Sequence, residues 1–215
     1  MVSELERQSN WLLPSGRNPC RGSSPLGTTN LTKNVMNVLD HLKELSVPEI
    51  KNYCEVNTIN SAIGMTHVSG DFNLGTVIRS ANFFGYREVF YVGGTKHYDR
   101  RSTVGTHNYT PVTFIKTEEE FLESIKGKYR LISVENNIPK YSEKTVSIFD
   151  KNAFDSTPSL FLFGEERVGI SDTLLDASEY ILTIPSFGSV RSLNVGSTAA
   201  IVMAMYKKYF DEFLN

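Results

Sequence analysis

The sequence is poor in the features that mark several large protein classes. It has only two cysteines, Cys20 and Cys54, far apart and in no metal-ligand spacing. Neither a disulfide-stapled scaffold nor a zinc module is read from them, and free thiols in a reducing compartment are expected. No apolar run reaches the roughly 18 residues of a bilayer span; the longest near the C-terminus, Ala199 to Tyr206, is of core-helix length. The opening residues MVSELERQSNW form neither an apolar leader nor an Arg-rich amphipathic one, so a cytoplasmic location is expected. Charge of either sign is not in excess, since 22 Lys and Arg against 24 Asp and Glu leave a formal −2. That balance speaks against a uniformly basic nucleic-acid binder. It leaves room for a local basic patch on an enzyme that must release its substrate. Neither a GxGxxG fingerprint after the first expected strand nor a GxxxxGK[ST] phosphate loop occurs, which ranks a Rossmann dehydrogenase low.

What is present is an ordinary globular composition, 40% hydrophobic and 21% charged. Residues 1 to about 30 are rich in Gly, Ser, Pro, Thr and Asn and read as an extended arm. Val35, Val38, Leu39, Leu42 and Leu45 recur at helical spacing, which predicts a helix over 34–45; a second short helix opens at Pro48. From Ser61 strand-like and helix-like segments alternate. Strands are expected at 62–68, 88–92, 112–115, 129–134, 159–163 and 180–184. Helices are expected at 74–84, 117–125 and 171–175, with a long final one from Leu193 to Phe213. Alternation of this kind predicts an α/β domain with a mostly parallel sheet flanked by helices, whose ligands gather at the carboxyl ends of the strands. The expected division is an N-terminal arm and helical extension over 1–57 and the main domain over 58–215.

Three stretches carry chemistry. In the first, Asn73-Leu74-Gly75-Thr76-Val77-Ile78-Arg79-Ser80-Ala81-Asn82-Phe83-Phe84-Gly85, Asn73 stands where an N-cap belongs and Gly85 where a left-handed C-cap belongs. Alone, it is an amphipathic helix with one arginine. The second, Phe163-Gly164-Glu165-Glu166-Arg167-Val168-Gly169-Ile170-Ser171, follows the apolar strand SLFLF. Its glycines permit close backbone approach to a ligand, and its two acids repel phosphate. They suit a ligand bearing hydroxyls or a positive group, as S-adenosylmethionine does. Alone, it is a tight turn. The third, Ile184-Pro185-Ser186-Phe187-Gly188-Ser189-Val190-Arg191-Ser192-Leu193-Asn194-Val195-Gly196-Ser197, runs from a strand end through a loop into a helix start, where Ser192 and Asn194 sit.

In this order the three stretches resemble the signature motifs of the SpoU/TrmH family of RNA 2′-O-methyltransferases, within the SPOUT superfamily. The matching residues are Asn73, Gly75, Arg79, Ser80, Ala81, Phe84 and Gly85, then Gly164, Glu166, Gly169, Ile170 and Ser171, then Ile184, Pro185, Gly188, Ser192, Leu193, Asn194 and Val195. One departure is Gly196, where the family usually has Ser. The resemblance covers about residues 58–210. It implies a C-terminal deep trefoil knot, a departure from the general rule against knots, and a homodimer formed through that region. It implies S-adenosylmethionine against Val134, Gly164, Ile184 and Leu193, and catalytic roles for Arg79, Glu166, Ser192 and Asn194. RNA contacts are expected from Asn73, Arg100, Arg101 and Arg191, with Lys96, His97 and His107 nearby. Tyr98 and Tyr109 are candidates to stack on bases, and Arg7, Arg17 and Arg21 of the arm to add contacts. No metal is implied. The substrate it favours is tRNA at a D-loop guanosine, with ribosomal RNA as runner-up. A non-catalytic RNA-binding knot protein is the alternative of another class.

Overall fold

The computed structural model describes residues 37–67, 71–94, 98–165 and 167–214. Of the helix expected over 34–45, the described part holds only a 3-10 turn at Asp40–Leu42. Leu42 anchors it against Ile50 and Tyr109, with Val38 and Leu45 at the edge. Helix α1 (Val47–Val56) then starts afresh. Ser46 and Glu49 form a capping box, in which Glu49 Oε2 accepts from the Ser46 N–H at 2.7 Å, and a proline occupies the first turn. A strong local start signal thus overrides the continuous helical spacing before it.

Seven strands follow: β1 (Ile59–Thr66), β2 (Tyr86–Val92), β3 (Val112–Ile115), β4 (Arg130–Val134), β5 (Thr145–Ser147), β6 (Ser159–Phe163) and β7 (Tyr180–Thr183). They form one sheet in the order β3-β2-β1-β6-β4-β7-β5, and each paired neighbour is parallel. The helices α2 (Asp71–Phe83), α3 (Glu118–Ile125), α4 (Asp172–Ala177) and α5 (Val195–Leu214) make the crossovers and the C-terminal element. The parallel α/β architecture expected from the sequence is therefore present. Strand β5 was not expected; it is a three-residue edge segment, Thr-Val-Ser, too short to show a pattern.

Strand β6 explains why both faces must be covered. Phe161 and Phe163 pack with α2 and α5 residues such as Leu74, Val77, Val202 and Met203. Leu160 and Leu162 pack on the other side with Phe121, Leu174 and Leu175 of α3 and α4. Alternate residues point to opposite faces, so a strand buried on both must be apolar throughout, and SLFLF is. Each such side chain contributes roughly 1.5–3 kcal/mol by leaving water.

Helix α2 begins at Asp71, so Asn73 lies inside its first turn and is not the N-cap. Its end is as expected, with Gly85 at φ +70°. Thr117 and Ser171 cap α3 and α4 by accepting from the N–H of Glu120 and Leu174. Gly196 has a packing reason. A Cβ there would lie 3.1 Å from Thr76 Cγ2 and 3.2 Å from Asn194 Oδ1, so its absence lets α5 approach α2. Among the described residues no helix is long and apolar enough to cross a membrane.

Candidate active site

The carboxyl ends of β4, β6 and β7 and the start of α5 enclose a cavity of about 310 Å³, at the low end of small-ligand sites. Three loops form its walls: 135–138 after β4, 164–170 after β6 and 184–193 after β7. Val134, Gly164, Ile184 and Leu193, the four residues expected against the cofactor, all line it, as do Ser192 and Arg191.

Each loop is held by its own polar chemistry. Gly164 is where the second loop folds back on itself, because a Cβ there would meet the Gly169 carbonyl carbon at 2.6 Å and the Ile170 nitrogen at 2.8 Å. The Gly169 N–H donates to the Glu165 carbonyl at 2.7 Å. The buried Glu165 carboxylate accepts from the N–H groups of Arg167 and Val168 at 2.9 and 2.7 Å. One of the two acids, Glu165, thus braces the turn while also lining the cavity, and the other, Glu166, lies outside the described residues. Asn136 ties the first loop to the third. Its Oδ1 accepts from Thr183 Oγ1 at 2.5 Å and the Ile184 N–H at 3.1 Å, and its Nδ2 donates to the Ile184 carbonyl at 3.0 Å. Asn137 Nδ2 donates to the Arg191 carbonyl at 3.1 Å.

Sequence reasoning missed Glu135. It lines the cavity and accepts from the Asn136 N–H at 2.9 Å. Burial pushes its carboxyl above the ordinary value, opposed by hydrogen bonds from the Asn136 and Ile170 backbone. The signal was available, since an acid directly after an apolar parallel strand sits where such sheets bind ligands.

Asn194 is the N-cap of α5, its Oδ1 accepting from the N–H groups of Gly196 and Ser197 at 3.0 and 3.3 Å. Its Nδ2 donates to Asn73 Oδ1 at 3.0 Å, joining the first and third motifs. Both asparagines therefore act on the start of α5 beside the cavity. Arg79 is placed elsewhere. It is exposed, does not line this cavity, and borders a second, larger one of about 880 Å³.

The expected RNA contacts fare unequally. Arg100 and Arg191 are exposed. Arg101 is exposed but doubly hydrogen-bonded to Asp99 of its own turn, with Nη2 to Oδ2 at 2.5 Å, so part of its charge is already answered. His107 is hydrogen-bonded to Thr103 Oγ1 at 2.6 Å, and burial first, then the charge of Arg100, holds its pKa down. Tyr109 is buried against Leu42 and Ile50 and is not a stacking surface. Tyr98 packs on Phe114. Lys96, His97 and the three arm arginines lie outside the described residues. Cys54 is a free thiol.

With the fold and this cavity in view, comparison with known proteins fixes the class. The sequence pattern of the SpoU rRNA Methylase family matches residues 60–204, so the chain belongs to that family. Over 142 residues it is 27% identical to the tRNA (guanosine(18)-2′-O)-methyltransferase of Escherichia coli K12, covering 65% of this chain and 59% of that protein. It is 26% identical over 136 residues to the 23S rRNA (uridine(2479)-2′-O)-methyltransferase of Streptomyces viridochromogenes, covering 61% of this chain and 46% of that one. The chain thus spans about three fifths or less of the length of these relatives. The crystal structure of the SpoU methyltransferase AviRb from Streptomyces viridochromogenes, in complex with AdoMet, superposes with a TM-score of 0.63. It is 22% identical, over 73% of this chain and 62% of that one.

Proposed function

We propose that the protein methylates a ribose 2′-OH of RNA with S-adenosylmethionine, on tRNA at a D-loop guanosine. The observation that carries this reading is that the second and third motif loops, separate in sequence, wall one cavity with Glu135 beside them. The cavity suits the cofactor chemically. Val134, Ile184 and Leu193 offer apolar contact, the loop backbones offer hydrogen-bonding groups, and Glu135 offers a carboxyl group to a cationic ligand. When bound, the cofactor supplies an electrophilic methyl group. The protein's task is then to bring the 2′-oxygen in line and let its proton leave.

Arg79 is a poor base, because a guanidinium holds its proton up to a pKa above about 12. In this reading it clamps the phosphate next to the target ribose and aligns the hydroxyl, while the proton passes to that phosphate. Ser192, at the cavity wall, orients the sugar, and Asn194 and Asn73 hold the start of α5. Glu166 is assigned to organising the second loop. Arg79 does not border the cofactor cavity of its own protomer. The homodimer is therefore part of the proposal, supplying Arg79 of one copy to the cavity of the other. The trefoil knot through the three loops, residues 58–215 as the catalytic domain after an extension over 1–57, and a cytoplasmic location complete it.

The guanosine follows the name of the Escherichia coli relative. Ribosomal RNA is the second reading, favoured by the Streptomyces relative. The test supplies S-adenosylmethionine labelled in its methyl group together with unmethylated tRNA or ribosomal RNA transcripts. Label in an alkali-resistant dinucleotide from tRNA is expected. Label in ribosomal RNA alone moves the substrate to the second reading, and no transfer to either removes the activity.

A further inference from the structure

The larger cavity lies at the other end of the sheet. Its walls are the segment 37–42, α1, the end of α2, the amino end of β2, and the segment 106–111 that leads into β3. Ligands of parallel sheets are expected at the carboxyl ends, so any site here must be carried by side chains. Two arginines, Arg79 on α2 and Arg87 on β2, border it and are exposed, and neither has a carboxylate or hydrogen-bond partner among the described residues. The nearby Glu88 is engaged by the Tyr129 hydroxyl at 2.9 Å. Phe83 presents an open ring, 80% exposed, at the same wall. The wall also holds Thr110, whose residue is 6% exposed and whose Oγ1 has no hydrogen-bond partner among the described residues. A buried hydroxyl without a partner costs folding free energy, and such groups are uncommon enough to need a reason.

We propose that this second cavity binds an unstacked nucleotide of the RNA substrate. The phosphate is the one already assigned to Arg79, beside the target ribose, and Arg87 shares it; the base of that neighbouring nucleotide lies on Phe83, and one of its polar groups meets Thr110 Oγ1. Paired guanidinium groups suit a phosphate dianion or diester. An exposed aromatic face suits any base. The hydroxyl that is unsatisfied in the free protein supplies the directional contact. This rests on the reading that the substrate is RNA, but not on any methyl transfer.

The experiment measures binding by fluorescence anisotropy, using a labelled single-stranded oligoribonucleotide of about ten residues. Guanosine 5′-monophosphate and inorganic phosphate are the competitors. Arg87→Ala should weaken oligonucleotide binding about tenfold and flatten its salt dependence. Thr110→Val should weaken it about threefold while raising the melting temperature of the free protein, since it removes the unsatisfied hydroxyl. A merely structural Thr110 would not move the two readouts in opposite directions. Displacement by guanosine 5′-monophosphate but not by phosphate supports a nucleotide site. If free nucleotide binds and the oligonucleotide does not, or if neither variant changes oligonucleotide affinity, the proposal is overturned. Methyl transfer to tRNA by wild type, assayed alongside, separates the two readings. Transfer with RNA affinity insensitive to both variants removes this inference alone. Sensitive affinity without transfer removes the methyltransferase reading alone.

Discussion

The two ends of the sheet are held in opposite ways. At the carboxyl ends of β4, β6 and β7, the loops are braced from within: Asn136 by β7, Glu165 by its own turn, Asn194 by α5 and Asn73. At the amino end of β2 and the approach to β3, Arg79 and Arg87 stand without partners among the described residues, and Thr110 keeps a buried hydroxyl unanswered by any of them. A ligand that must be gripped tightly and in one pose suits the first kind of site, where the shape is already fixed before binding. A large charged polymer that must come and go suits the second, where the protein offers charge and leaves the ordering to the complex.

Substitutions at one end should therefore leave the other untouched. Arg79→Ala should have the largest effect, slowing single-turnover methylation about 100-fold with unchanged affinity for S-adenosylmethionine by calorimetry. Arg79→Lys should recover little of it, and near-normal turnover in both would remove the assignment. Gly164→Ala should come next. With backbone 2.6 Å from the new Cβ, the loop must shift, costing about 1–3 kcal/mol and most of the cofactor affinity. RNA affinity should hold, and a variant that still binds cofactor normally would mean the loop is pliable. Asn136→Ala strands the Ile184 N–H and carbonyl and Thr183 Oγ1, and should lower stability by about 2 kcal/mol in urea unfolding.

Glu135→Gln should be subtler and depend on pH. Burial raises the folded carboxyl above its ordinary 4.5. Its contribution to stability is therefore fully present below the unfolded value and is lost as pH rises through the folded one. At neutral pH the Gln variant should be the more stable in the ligand-free state and bind the cationic cofactor more weakly. A variant less stable at neutral pH would show that the carboxylate is structurally required. Smallest of all, Gly196→Ala trades a helix-propensity gain of about 1 kcal/mol against crowding of Thr76, whose hydroxyl is already bonded to the Phe72 carbonyl. Differential scanning calorimetry should find a change below about 1 kcal/mol.

The sheet was legible because β6 and its neighbours are continuous apolar runs set between amphipathic helices. The wall of the smaller cavity was legible because glycines and a strand-end proline mark loops that must bend closely. Asn73 was misassigned because its Oδ1 accepts from the side chain of Asn194, 121 residues away in sequence, and no local pattern encodes that. Tyr109 was misassigned because burial by α1 is a tertiary fact. The separation of Arg79 from the smaller cavity is likewise tertiary: motif order gives adjacency along the chain, whereas α2 carries the arginine away from the carboxyl ends of the strands.

The sheet order has a consequence for how the chain reaches this shape during synthesis. Strands β1, β2 and β3 are neighbours in both sequence and space and can assemble as they emerge. Strand β6, however, is inserted between β1 and β4. Until Ser159–Phe163 has left the ribosome, β1 and β4 each present a bare edge meant for a later arrival, and pairing with one another would lock β6 out. Productive assembly is therefore favoured when β4 stays unpaired until β6 has emerged. Substitutions that strengthen the edges of β1 or β4 should lower the yield of native protein without weakening it once formed.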